Sequence, residues 1–128
     1  MAGDLIYLVW SAALTLLLAV IAVAGAQLQV RLPPLISNRE DMPEITGWAG
    51  RAARTHRNML ENLVLLAILV LAAHASGRSN AITIQGAQIF FWARVAHAAF
   101  YIAGIPWLRT GAWVVSVVGL FLIFWQLI

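Results

Sequence analysis

The chain contains no cysteine and no lysine, and only 10% of its 128 residues are charged. Without cysteine there is no disulfide, no thiolate metal site and no protein-borne thiol nucleophile, so any sulfur chemistry here must use a borrowed sulfur. The shortage of charge excludes a soluble domain of this size, whose charged share would be about 25%. With 62% hydrophobic residues the chain is an integral membrane protein. All eight basic residues are arginine, so the formal charge of +3 lies on groups that stay protonated and grip carboxylates or phosphates bidentately. That balance argues for an anionic ligand or anionic headgroups. Nucleic acid is a poor partner, because the arginines are spread along a membrane chain with no soluble basic domain to present them. No metal site is expected.

Four stretches are predicted to span the membrane as helices, at about 5–30, 42–76, 80–104 and 108–127, making one all-α domain over residues 1–128. The first is long enough to cross roughly 30 Å of hydrocarbon at 1.5 Å per residue. Ala22 to Ala26 superficially resembles a signal-peptidase site, but the start is not basic and the apolar run is too long, so the span is read as retained. It ends near Arg31, and Pro33 with Pro34 cannot continue it. Asp41, Pro43 and Glu44 read as a helix start. Gly77 reads as the end of the second helix, and Ser79 or Asn80 as the cap of the third. Pro106 suits the start of the fourth.

The densest polar stretch is Arg51 to Asn62. On a helix, Arg51, Arg54, Arg57, Asn58, Glu61 and Asn62 fall within an arc of about 140°. Two readings stand side by side, a ligand-binding face and a collar of arginines touching lipid headgroups. A collar needs neither an amide nor a carboxylate, and Glu61 inside an apolar run calls for a partner or ligand. On the third helix Arg94, His97 and Tyr101 lie within an arc of about 60°. An arginine deep in a span must face a partner, and Glu61 is the expected one. His97 alone reads as an interior histidine or a base, and Tyr101 alone as an interface aromatic. Arg109, followed by Thr110 at the positive end of the fourth helix, is placed either to hold an anion such as a thiolate or to serve as an interfacial anchor.

An even number of spans puts both termini on one side. Arginines crowd the first connection and its flanks, with Arg109 in the third, against Arg78 alone in the second. By the positive-inside rule the first and third connections are cytoplasmic and both termini lie outside, with the polar cluster near the cytoplasmic face. The short length suggests a minimal bacterial form, in an inner membrane.

Arg54-Thr-His-Arg-Asn58-Met-Leu-Glu61 is similar to the second-helix signature of the MAPEG superfamily, the membrane-associated proteins in eicosanoid and glutathione metabolism. Arg94-Val-Ala-His97 with Tyr101 resembles its third-helix signature, nearest to the microsomal prostaglandin E synthase and glutathione transferase branch. The resemblance covers essentially the whole chain. It implies a homotrimer of four-helix subunits with glutathione bound between neighbours. Arg54, Arg57, Asn58, Glu61, His97 and Tyr101 match glutathione-contacting positions, and Arg94 matches the arginine that braces Glu61. Arg109 resembles the arginine that stabilises the glutathione thiolate, with Thr110 where the prostaglandin branch has serine. Arg31 resembles a further ligand-contacting arginine. Met59 stands where the prostaglandin synthase pattern is acidic, so prostaglandin isomerisation is not implied. The expected function is a glutathione-dependent transferase or peroxidase whose bound thiolate attacks an apolar electrophile or lipid hydroperoxide. The alternative is a non-catalytic lipid-binding or scaffold protein on the same fold.

Overall fold

A long apolar chain in hydrocarbon must satisfy its backbone internally, and this one does so with helices. The computed structural model describes residues 1–30 and 44–128, and these form α1 (Gly3–Gln29), α2 (Gly47–Ala75), α3 (Ala81–Ala103) and α4 (Pro106–Leu127). The readings made for Arg31, Pro33, Pro34, Asp41, Met42 and Pro43 lie outside the described residues. Among the described residues α1, α2 and α4 are long and apolar enough to cross a membrane. α3 is not apolar enough by itself. It is nevertheless held between α2 and α4 by the short turn 76–80 and by Gly104 and Ile105, so it crosses with them.

The ends of the helices follow local chemistry with one exception. Asn80 caps α3, its side chain accepting from the amides of Ile82 and Thr83, while Thr83 Oγ1 accepts from the Asn80 amide. Gly77 and Gly104 take positive φ of 71° and 81° at the ends of α2 and α3, where a side chain would be strained. Pro106 occupies the first turn of α4, where its missing N–H costs nothing. The exception is the start of α2, predicted near Met42 and found at Gly47, with Glu44 to Thr46 non-helical. There the Gln29 amide grips the backbone of Thr46 from both sides, donating to its carbonyl at 2.7 Å and accepting from its N–H at 3.0 Å. A tertiary clamp holds Thr46 extended, so the helix begins immediately after it.

The helices run alternately up and down. At one end the start of α1, the end of α2 and the start of α3 meet around Asp4, which is fully buried. Its Oδ1 lies 2.6 Å from His74 Nε2 and accepts from the Leu5 amide at 2.9 Å. Its Oδ2 accepts from Ser79 Oγ at 2.7 Å and Thr83 Oγ1 at 2.9 Å. A carboxylate in the first turn of a helix also faces the positive end of the dipole. The end of α4 joins this layer, with Arg78 donating to the Leu127 carbonyl and Asn80 to Gln126.

Between the ends, α3 and α4 pack the most extensively of any pair. Glycine permits it. A Cβ on Gly119 would stand 2.5 Å from the Gly86 carbonyl oxygen, and one on Gly86 would stand 2.6 Å from that of Gly119. Small residues at helix crossings are the usual means of close approach in a membrane, where dispersion replaces the hydrophobic effect. Around this contact Leu66, Val70, Ala87, Phe90, Leu120 and Ile123 form the core.

These contacts set the expected stability of three variants. Gly119→Ala should destabilise by about 1–3 kcal/mol through backbone overpacking. Gly111→Ala, whose Cβ meets nothing within 4 Å, should be neutral or slightly stabilising. Asp4→Ala, which strips His74, Ser79 and Thr83 of their acceptor, should cost about 1–3 kcal/mol. Thermal unfolding in detergent reads all three, and a Gly119→Ala transition at or above the wild-type temperature would contradict the packing account.

Candidate functional site

The opposite end of the bundle carries the polar stretch singled out in the sequence, and burial divides its arc in two. The inward side of α2 is marked by Ala52, Thr55, Met59, Asn62 and Leu66, all buried. Measured by 100° per residue from the centre of that side, Asn58 lies about 80° away, Glu61 about 140° and Arg57 about 180°. Asn58 is accordingly half-buried between helices, whereas Arg54, Arg57 and Glu61 are exposed.

This rotation overturns the expected pairing of Arg94 with Glu61. Arg94, 1% exposed on α3, donates from Nη2 to Asn58 Oδ1 at 2.6 Å. Glu61 points away from the bundle, and no Arg94–Glu61 ion pair occurs among the described residues. Asn62 supports the same amide, donating to the Asn58 carbonyl at 2.8 Å and approaching its Oδ1 at 3.4 Å. Arg51 is likewise occupied. Its Nε donates at 2.9 Å to the carbonyl of Ile102, in the last turn of α3, where a cation meets the negative end of the helix dipole.

Asn58, His97, Tyr101, Arg109, Thr110 and Trp113 line an open cleft of about 250 Å³ shared by α2, α3 and α4. The Arg109 guanidinium carbon lies 4.5 Å from the centre of the Tyr101 ring, a cation–π contact that fixes the charge over the cleft. His97 meets the same ring edge-on, with centroids 5.5 Å apart. Thr110 donates its hydroxyl to the Pro106 carbonyl at 3.0 Å, so its oxygen remains an acceptor toward the cleft.

Three buried nitrogens here have no hydrogen-bond partner among the described residues: Arg94 Nε, Arg94 Nη1 and His97 Nδ1. Buried polar atoms are almost always satisfied, and unsatisfied ones beside a cleft call for an ion, a ligand or water. Among the described residues no carboxylate lines the cleft. The lining therefore combines a guanidinium, an amide, a phenol and a hydroxyl, a set suited to an anion.

Of the residues selected from sequence, the structure brings Asn58, His97, Tyr101, Arg109 and Thr110 to one cleft, with Arg94 behind Asn58. Arg54, Arg57 and Glu61 do not line it within a single chain, and Arg31 lies outside the described residues. Trp113 was missed. Its position four residues after Arg109 and three after Thr110, on the same face of α4, was the available signal. The Asp4 cluster was also missed, since one acid near a chain end gives no hint of burial.

Comparison with known proteins bears on this arrangement directly. The model of the MAPEG family matches residues 5–128. Among curated proteins and among solved structures no significant match was found. The match takes in nearly all of α1, the whole of α2, α3 and α4, and every residue of the cleft, so this chain belongs to the MAPEG family.

Proposed function

We propose that the protein is a glutathione-dependent membrane enzyme, a transferase or peroxidase, in which Arg109 holds the thiolate of glutathione for attack on an apolar electrophile or lipid hydroperoxide. The observation that carries this reading is the cleft where Arg109 lies over Tyr101, beside nitrogens of Arg94 and His97 that have no partner among the described residues, none of which brings an acid to its lining. Glutathione suits these groups, having two carboxylates for cationic donors and a thiol that needs positive charge to ionise near neutral pH. Asn58 and Thr110 offer an amide and a hydroxyl oxygen to the peptide. Arg109 supplies electrostatic stabilisation of the sulfur anion, and the cleft supplies proximity, so no protein nucleophile is needed.

The exposed Arg54, Arg57 and Glu61 support a homotrimer. Among the described residues of one subunit they make no side-chain hydrogen bond or ion pair, and a neighbour packed on the outward face of α2 would bring a second set of cations and one carboxylate to the ligand. Glu61 would then face the ammonium of glutathione.

The apolar co-substrate has a route. One turn of α4 beyond Trp113 begins a groove of about 310 Å³ lined by Leu65, Ile68, Leu69, Val117, Leu120, Phe121 and Phe124. Its wholly apolar wall follows the same α2–α4 seam as the polar cleft. The groove also favours a second reading, a lipid-binding protein without catalysis that keeps the polar cluster for assembly.

Turnover of an aryl halide or of cumene hydroperoxide with glutathione separates the two. The purified protein should be active, and Arg109→Ala should lose about 10²–10³-fold in rate, the usual effect of removing one oxyanion-type donor. Equal rates in both proteins would remove Arg109 from the mechanism, and none in either would remove the enzyme reading in favour of the lipid-binding one.

A further inference from the structure

α3 carries two kinds of polar residue. Thr83, Arg94 and His97 are buried against the other helices and belong to the Asp4 cluster and the cleft. Gln85 and Gln88 are different. Both are exposed, three residues apart on the side of α3 turned away from α2 and α4. The amides of Gln29 and Gln126 are bound to Thr46 and Asn80, yet those of Gln85 and Gln88 make no side-chain hydrogen bond with another described residue. Gln88 stands about 10 Å along the axis from Ala81, and Trp92, 58% exposed, lies one turn deeper on the same row. An amide at that depth finds no water, so it needs a partner from another helix.

The chemistry of the amide identifies that partner. It carries two donors and an acceptor, so it is complementary to a second copy of itself. A two-fold axis along the membrane normal would set α3 beside α3 in the same direction, with each glutamine at the depth of its counterpart. Apolar area is available on the same flank. A groove of about 480 Å³ between α1 and α3, lined by Gly3, Ile6, Tyr7, Trp10, Phe91 and Trp92, adjoins the glutamine row, and Trp10 is 57% exposed.

We propose that the outer face of α3, through Gln85, Gln88 and Trp92, is a self-association surface on which two copies meet with their glutamine amides paired. The surface is separate from the outward face of α2 invoked for the trimer, so it would join one trimer to another. It depends on neither glutathione binding nor the trimer.

The absence of cysteine makes the test direct. Trp92→Cys, oxidised in native membranes with copper phenanthroline, should give a disulfide-linked dimer several-fold above the level of Leu16→Cys, a residue 66% exposed on α1. Adding Gln85→Leu and Gln88→Leu to the Trp92→Cys chain should abolish its dimer while leaving its yield and thermal unfolding intact. Cross-linking no higher than at Leu16→Cys, a dimer indifferent to the leucine substitutions, or a product containing a different protein would each overturn the proposal.

Discussion

The hydrogen bond from Arg94 to Asn58 is the interaction on which the site depends. A guanidinium 1% exposed among membrane helices cannot be left to hydrocarbon, and the Asn58 oxygen at 2.6 Å gives it a neutral partner from the next helix. That bond sets the register of α2 against α3 at the depth of the cleft. Asn58 also lines the cleft, so the group that satisfies the buried arginine is part of the surface offered to a ligand. Had Glu61 been the partner, the arginine's charge would have been neutralised within the fold. With an amide in that place the local field stays positive, which is what an anion requires.

The same constraint shapes the other end. Asp4 is fully buried, and its two oxygens accept from a histidine, two hydroxyls and one backbone amide drawn from α1, α2, the connecting turn and α3. One end of the bundle thus closes on an anion supplied by the protein. The other end remains open around cations. Between them the contact of Gly86 with Gly119 lets α3 and α4 approach closely enough for Tyr101 and Arg109 to share one cleft across the short Gly104–Ile105 turn.

What the sequence revealed was local, and what it concealed was rotational or tertiary. Asn80, Gly77, Gly104 and Pro106 announce helix ends because capping and φ preferences act within a few residues. The start of α2 could not be read this way, since Gln29 reaches across from α1 to hold Thr46 extended. The motif residues of α2 were visible as a polar arc, but which side of that arc faces inward depends on the packing of Ala52, Thr55 and Met59. A shift of some 60° between Asn58 and Glu61 decides which one meets Arg94. Trp113 was hidden for the opposite reason. Aromatic residues are common near membrane interfaces, so its place one turn after Arg109, the one available signal, suited an anchor equally well.

The central claim is that the cleft lined by Arg109, with Arg94 behind it met by an amide rather than an acid, receives a small peptide anion. Calorimetric titration of glutathione into the purified protein in detergent tests it most directly. The account predicts saturable binding by the wild-type chain, and binding weakened about tenfold or more, or about 1.4 kcal/mol, when Asn58→Ala removes the amide that positions Arg94. Flat titrations for the wild type, or equal affinity in the two proteins, would contradict it.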